Sequence, residues 1–168
     1  MVQRSETVVL STASFHKVMH ANHTSGQYTI EDADLVGAST PFGELPRYGA
    51  AQLEACTEMD AELLDGLRAA GFKLGSGPDG TGVLGLIYKL NGTGYYYNAG
   101  ASDLIIDGTI SLAHGSVTGF TETGVVLDGG AQTLDADLVI MATGYHGPES
   151  VVEKMFGAEV AQKLGNFT

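Results

Sequence analysis

A guanidinium and a hydroxyl stand next to each other at Arg4 and Ser5, directly after residues 1–3, a stretch typical of the end of a strand. In a βαβ cofactor site, an arginine near this position commonly holds the 2′-phosphate that distinguishes NADP from NAD. The alternative is an ordinary exposed arginine. Arg4 and Ser5 are therefore candidate contacts for NADP.

The histidines suggest a second kind of site. His16, His20 and His23 would share one face if residues 14–24 were helical, and that spacing is compatible with a metal site. Zinc also needs a fourth donor and supporting hydrogen bonds, and the sequence locates neither. We interpret the three as the surface of a solvated helix and expect no metal. His114 and His146 are isolated, no Ser/His/Asp order stands out, and no catalytic residue is assigned.

A glycine-rich pattern occurs at Gly75 to Gly80, where the spacing of the glycines matches GxGxxG. A dinucleotide fingerprint needs a strand before it and a helix opening within it, so that the pyrophosphate meets free N–H groups. Here a predicted helix precedes the pattern, and Pro78 lies inside it. The sequence therefore predicts a glycine-rich loop rather than a cofactor cradle.

The clearest helix precedes that loop. Apolar residues recur at helical spacing from about Ala50 to Ala70, and Gly71 follows where a helix-ending glycine belongs. The stretch predicts a helical hairpin or one bent helix. Upstream, Ser14 is expected to cap a short helix to about His20, and residues 28–46 are expected to run into a loop.

Extended segments are expected in the second half of the chain. Short extended pieces are predicted at 105–106 and 109–112, and a hairpin is predicted from 125 to 134 around adjacent glycines. The apolar run Asp137 to Ala142 predicts a strand covered on both faces in a parallel sheet. A final amphipathic helix is expected over Val151 to Leu164.

The amino-acid composition limits the classes of function that the protein can have. The 168 residues, 43% hydrophobic and 17% charged, suit one ordinary domain. A net charge of -12 repels a phosphate backbone, so we expect no nucleic-acid partner. The apolar runs are shorter than the roughly 18 residues of a membrane helix. With no signal peptide and one cysteine, Cys56, a cytoplasmic location is expected.

An ordered set of segments resembles the flavin-containing monooxygenase family, and is most similar to its soluble fungal and plant-like members. The set spans most of the chain, and the order is more specific than any one segment. The segments are 1–5, 59–74, 78–82, 94–105 and 137–145.

The resemblance implies an α/β fold. Residues 1–142 would form a partial Rossmann-like NADP-binding domain with a helical insertion at about 41–74, and residues 143–168 would start the return into an FAD-binding domain. It implies FAD and NADP as cofactors of the full-length parent, and transfer of oxygen to a small-molecule substrate through a flavin hydroperoxide.

The resemblance also implies site residues. Arg4 and Ser5 correspond to the NADP 2′-phosphate site. Ala142, Thr143 and Gly144 correspond to the link between the domains beside the cofactors, and Tyr145 follows them.

Two departures qualify the resemblance. The family's two GxGxxG loops and its C-terminal FAD segment are missing, so we interpret the chain as an internal fragment that is inactive alone. One alternative is a non-catalytic binding or regulatory module that pairs through an exposed sheet edge. Another is a fragment of a different two-dinucleotide flavoprotein, such as a disulfide reductase. The substrate and the oligomeric state are not assigned.

Overall fold

Short parallel strands lie at the centre of the protein. A computed structural model describes residues 1–89, 94–143 and 149–164. The parallel strands are β1 (Val2–Gln3), β2 (Val8–Ser11), β3 (Tyr95–Asn98) and β4 (Ala113–His114). β2 pairs with β3, with Val8 opposite Tyr95, and β1 pairs with β4. On its other side, the start of β2 bridges Leu74 through Thr7. The fold is therefore mixed α/β with small parallel sheets.

The segment after β2 is helical, with a different start from the predicted one. It contains α1 (Thr12–Ser14), a π-helical turn (Phe15–Met19) and α2 (Ala21–Thr24). The prediction that Ser14 caps this segment is wrong, because the Ser11 hydroxyl accepts the N–H of Ser14 at 3.0 Å. Ser14 itself is fully buried.

A helix occupies part of the stretch expected to be a loop. It is α3 (Ile30–Ala38), and the side chain of Thr29 accepts the N–H of Asp32 at 3.1 Å. Glu31 and Asp32 lie in the first turn, where carboxylates interact favourably with the helix dipole. The prediction of a loop over this stretch is therefore wrong.

The helical stretch predicted from about Ala50 to Ala70 is confirmed as two helices, which follow a 3-10 turn. The turn is Phe42–Glu44, and the helices are α4 (Leu45–Met59) and α5 (Ala61–Ala69), separated at Asp60. Gly71 ends α5 with φ of +86°. Its N–H donates to Arg68, while the N–H of Phe72 donates to Leu67. This is the Schellman pattern, so the predicted helix-ending glycine is confirmed.

A second helical unit connects the glycine-rich loop to β3 and then leads to β4. The 3-10 turn Pro78–Gly80 leads into α6 (Gly82–Lys89), and α7 (Ala101–Ile106) follows β3. The extended piece expected at 105–106 is therefore wrong. The Asn98 side chain accepts the N–H groups of Gly100 and Ser102 at 2.9 and 3.1 Å, which starts a helix there.

The predicted hairpin is confirmed as part of an antiparallel meander. Its strands are β5 (Val117–Phe120), β6 (Gly124–Leu127) and β7 (Gln132–Asp135). The β6–β7 connection passes through Gly129 and Gly130, with φ of +68° and +105°. Glycine is needed at these angles because a side chain would be strained.

The predicted strand at 137–142 is wrong. None of the strand pairs among the described residues includes it, and Leu138 and Ile140 are 77% and 82% exposed. A strand is stable only beside hydrogen-bonded neighbours. The two edges of β2 are taken by β3 and by the bridge to Leu74, and the run pairs with neither β3 nor any other described strand.

The predicted final helix is divided in two. Its parts are α8 (Glu149–Phe156) and α9 (Ala158–Leu164), and Gly157 lies between them with φ of +87°. Across the described ranges, no helix combines the length and the apolar character that crossing a bilayer requires.

Two apolar clusters lie against the two faces of the β2–β3 pair. Side chains alternate along a strand, so Tyr95 and Tyr97 pack on one cluster and Tyr96 on the other. The first cluster contains Val8, Leu10, Cys56, Val83 and Leu86; the second contains Val9, Leu64, Leu67, Phe72 and Ile105.

Candidate functional site

Arg4 and Ser5 lie at the carboxyl end of β1, where the sequence predicted a cofactor contact. Both are exposed. The neighbouring β4 runs in the same direction, and the N–H of Gly115 beyond it donates to Gln3 O at 3.3 Å. In open α/β sheets, ligands bind beyond the carboxyl ends of the strands. Arg4 and Ser5 lie beyond the carboxyl end of a pair of two-residue strands.

The loop that carries Arg4 and Ser5 is anchored at both ends. The buried Gln3 amide donates to Lys73 O and accepts the Lys73 N–H, both at 2.9 Å. On the far side of the loop, Thr7 N donates to Lys73 O at 3.0 Å. Sequence reasoning missed Gln3, because its partner is 70 residues away. These bonds fix the ends of the loop while its side chains stay in solvent.

A carboxylate lies at the end of β4. Asp128 Oδ1 accepts the N–H of Ser116 at 2.8 Å, and its own N–H donates to Ser116 O at 2.9 Å. A Cβ on Gly115 would stand 2.5 Å from Asp128 Oδ2, so glycine is required for this approach. The Ser116 N–H is therefore occupied by a carboxylate.

The residues expected at the link between domains are only partly described. Ala142 and Thr143 are exposed and lie outside regular secondary structure. Gly144 and Tyr145 lie outside the described residues. For these four positions, a role beside the cofactors stays a prediction.

A buried polar network lies at the carboxyl end of β2. Asp60 Oδ2 accepts the N–H of Ser11 at 2.8 Å and the hydroxyl of Ser14. The Cys56 thiol is 3.9 Å from Ser14 O, and Cys56 and Ser14 are both fully buried. Burial raises the pKa of the Cys56 thiol; the Ser14 hydrogen bond lowers it and the nearby Asp60 charge raises it. A buried, protonated thiol is inert, so this network is structural.

A second hydrogen-bond network lies at the carboxyl end of β3. The Tyr96 hydroxyl is 2.8 Å from the Ser102 hydroxyl, and the Thr12 hydroxyl donates to Asn98 O at 3.0 Å. Burial raises the pKa of Tyr96, the hydrogen bond with Ser102 lowers it, and the Asp103 charge raises it. The phenol therefore stays neutral at physiological pH.

The glycine-rich loop has an unexpected context, because an extended bridge at Leu74 precedes it and α6 follows it. Its N–H groups are nevertheless used internally. Those of Gly80, Thr81 and Gly82 donate to the carbonyls of Gly77, Pro78 and Ser76. These donors are therefore not available to a pyrophosphate, and the prediction of a glycine-rich loop is confirmed.

The three histidines follow one another along the helical segment after β2. Ring centroids are 6.2 Å apart for His16 and His20, and 6.0 Å for His20 and His23. His23 Nε2 is 2.9 Å from Asp34 Oδ1, which connects α2 to α3. Within the described part of the chain, no group of three or more His, Cys, Asp or Glu side chains is arranged to hold a metal ion.

A scan against protein-family models finds no match for this chain, and a search of curated proteins finds none either. The resemblance to flavin-containing monooxygenases therefore stays a prediction.

Proposed function

We propose that the chain forms part of an FAD- and NADPH-dependent monooxygenase, to which it contributes a Rossmann-like NADP-binding region. The ordered set of sequence segments supports this proposal, and one structural observation gives it the strongest support. Arg4 and Ser5, the residues that the resemblance assigns to NADP, lie exposed at the carboxyl edge of a parallel strand pair. This is the edge where α/β proteins bind cofactors.

The residues fit one portion of NADP. Arg4 supplies a planar cation and Ser5 a hydroxyl for the 2′-phosphate. The pyrophosphate does not fit the glycine-rich loop, where Gly80, Thr81 and Gly82 already donate to carbonyls. The proposal therefore does not assign the pyrophosphate to this loop. When bound, NADPH would supply a hydride that reduces the flavin, and the reduced flavin with O₂ would provide one oxygen atom for the small-molecule substrate while the other leaves as water.

The test uses Arg4→Ala in the enzyme that contains this chain. A charge-assisted contact contributes roughly 1.5 to 3 kcal/mol, so kcat/KM for NADPH should fall roughly ten- to a hundredfold. Activity with NADH should change little, because NADH lacks the 2′-phosphate. Steady-state kinetics with both cofactors measure this difference.

Arg47→Ala is the matched control. Arg47 is an exposed arginine at the start of α4, 3.2 Å from Glu44, and its loss should not affect the choice of cofactor. Equal losses with NADPH and NADH in Arg4→Ala would show that Arg4 is structural. Oxygen uptake separates the alternatives, since a disulfide reductase consumes NADPH without it.

The 168-residue chain can be tested by itself with nucleotide fragments. Adenosine 2′,5′-bisphosphate should perturb the amide NMR signals of Arg4 and Ser5 more strongly than 5′-AMP. The preference should disappear in Arg4→Ala. Equal responses to the two nucleotides would contradict 2′-phosphate recognition at this edge.

A binding module is the second candidate function. The run from Leu138 to Met141 supports it, because these apolar residues are exposed and form no strand with another described segment. Contiguous exposed apolar surface often marks a protein interface. A binding module would self-associate or bind a related enzyme through this run without distinguishing the two nucleotides.

A further inference from the structure

A pocket of about 140 Å³ lies between the start of α4 and the middle of α6. Its walls include Phe42 and Leu45 on one side, and Leu84 and Tyr88 on the other. Thr81 and Gly85 also line it. It shares no residue with the Arg4 edge, so it is independent of the proposed function.

Close packing between α4 and α6 fixes these walls. A Cβ on Gly49 would lie 2.3 Å from Thr81 O, and one on Gly82 would lie 3.1 Å from Leu53 Cβ. A Cβ on Gly85 would overlap the Thr81 hydroxyl, which donates to Pro78 O. Thr81 and Gly85 belong to this contact and also line the pocket, so the close packing of the two helices fixes one side of it.

The lining selects a neutral ligand. Among the described residues that line this pocket, Tyr88 alone has an ionisable side chain, and the Thr81 hydroxyl already has an acceptor. A charged ligand would lose hydration here without gaining a partner. The volume is close to that of an engineered apolar cavity of about 150 Å³ that binds benzene.

The two aromatic walls favour a planar ring. Phe42 and Tyr88 meet edge to face, with centroids 5.5 Å apart and planes at 82°. Phe42 is nevertheless 72% exposed and Tyr88 53%, so both rings have surface left to contact a ligand. Aromatic rings prefer edge-to-face or offset contacts with other rings.

We propose that this pocket binds a neutral, planar aromatic molecule of one ring or two fused rings. The probe is indole, titrated into the 168-residue chain labelled with ¹⁵N. The amide signals of Thr81, Leu84 and Gly85 should shift with saturation, and the signals of the Arg4 loop should stay in place.

Two variants test the ring contacts. Phe42→Ala removes one wall and should weaken indole binding about fivefold or more. Phe120→Ala is the matched control, because Phe120 is 60% exposed on β5, outside the pocket, and its loss should leave binding unchanged. Neither aromatic ring is buried, so both variants should retain the wild-type circular dichroism.

A third variant, Leu45→Trp, changes a lining residue so that its larger ring would occupy the pocket. This variant should bind indole more weakly. Indole-3-carboxylate should bind about tenfold more weakly than indole, because its charge is not compensated. Absence of saturable shifts at Thr81, Leu84 and Gly85, or equal affinities for Phe42→Ala and Phe120→Ala, would overturn the proposal. Loss of NADP selectivity in Arg4→Ala would not affect it.

Discussion

The carboxylate of Asp60 connects three elements that are far apart in sequence. It lies in the break between α4 and α5, and it accepts bonds from Ser11 at the end of β2 and from Ser14 in α1. Asp60 itself is only 6% exposed. The break between the helices therefore serves to bring an acceptor to the end of a buried strand.

Asp60→Ala should lower the free energy of unfolding by about 3 kcal/mol, because two buried donors lose a charged acceptor. Asp60→Asn should cost less, since its carbonyl oxygen can still accept. Urea titration followed by circular dichroism measures both changes. The control is Asp65→Ala, in which an aspartate with a 76% exposed side chain loses only a surface ion pair and about 0 to 1 kcal/mol. Similar losses at both positions would contradict the role assigned to Asp60.

The half-buried phenols of Tyr96 and Tyr97 and the buried thiol of Cys56 limit the stability of the fold at alkaline pH. Burial raises the pKa of Tyr96 and Tyr97, as it does for Cys56. Each group therefore stabilises the fold fully below the pKa of its unfolded state, and that stability is lost as pH rises through the folded pKa. Stability should decline above about pH 8.5 to 10, the ordinary range of thiols and phenols.

Tyr96→Phe should make that decline shallower, because the variant has no proton to lose at this position. Thermal unfolding at a series of pH values between neutral and alkaline measures the slope. Tyr28→Phe, at a 44% exposed tyrosine, should leave the slope unchanged. A slope that Tyr96→Phe does not alter would contradict the assignment.

The sequence predicted the place of Arg4 and Ser5 in the fold but not what holds them. A polar pair after a strand end is a local pattern, and the structure has both residues exposed at the carboxyl edge. The bonds of Gln3 to Lys73 and of Asp60 to Ser11 join residues 70 and 49 positions apart. No local periodicity encodes such pairs, so sequence reasoning could not find them.

The elements that were predicted correctly carry strong local signals. Helical spacing with a terminal glycine located the helices α4 and α5, and a glycine turn between apolar runs located the β6–β7 hairpin. The pattern of Thr29 and Asp32 is typical of a capped helix, but Pro41 and Pro46 follow α3 and favour a loop, so the sequence did not predict this helix. The 137–142 run was predicted from its composition alone, and composition does not supply a neighbouring strand.

Substitution by alanine should have opposite effects on stability at two helical glycines, Gly49 and Gly37. Gly49→Ala should cost about 2 kcal/mol or more, because its Cβ would meet the Thr81 backbone where α4 packs on α6. Gly37→Ala, in α3, meets nothing within 4 Å and should stabilise the protein by up to about 1 kcal/mol. Urea titration measures both. Destabilisation by Gly37→Ala, or tolerance of Gly49→Ala, would contradict the packing described here.

At the scale of the whole molecule, the apolar surface is unevenly distributed. The β2–β3 pair has a buried cluster on each face, while Leu138 and Ile140 are more than three-quarters exposed. Stability therefore depends on the centre of the molecule, and the 138–141 run contributes little to it.

The double variant Leu138→Ser/Ile140→Ser should bind less of the fluorescent dye ANS and self-associate less than the parent chain. Its free energy of unfolding should stay within about 0.5 kcal/mol of the parent, because no buried contact is lost. Dye fluorescence, size-exclusion chromatography and urea titration measure these properties. Ile30→Ser/Leu35→Ser is the control, with side chains 69% and 67% exposed on α3. An equal loss of dye binding in the control would show that the 138–141 run is not the main dye-binding surface.

The pairing of Val8 with Tyr95 also has a consequence during protein synthesis. At about 5 to 20 residues per second, a ribosome needs roughly 4 to 20 seconds to make the chain between these partners. Throughout that interval the apolar β2 has no β3 to pair with, although the local helices α4 and α5 can already form. The nascent chain therefore presents an unpaired hydrophobic strand during that interval, which is the kind of segment that chaperones bind.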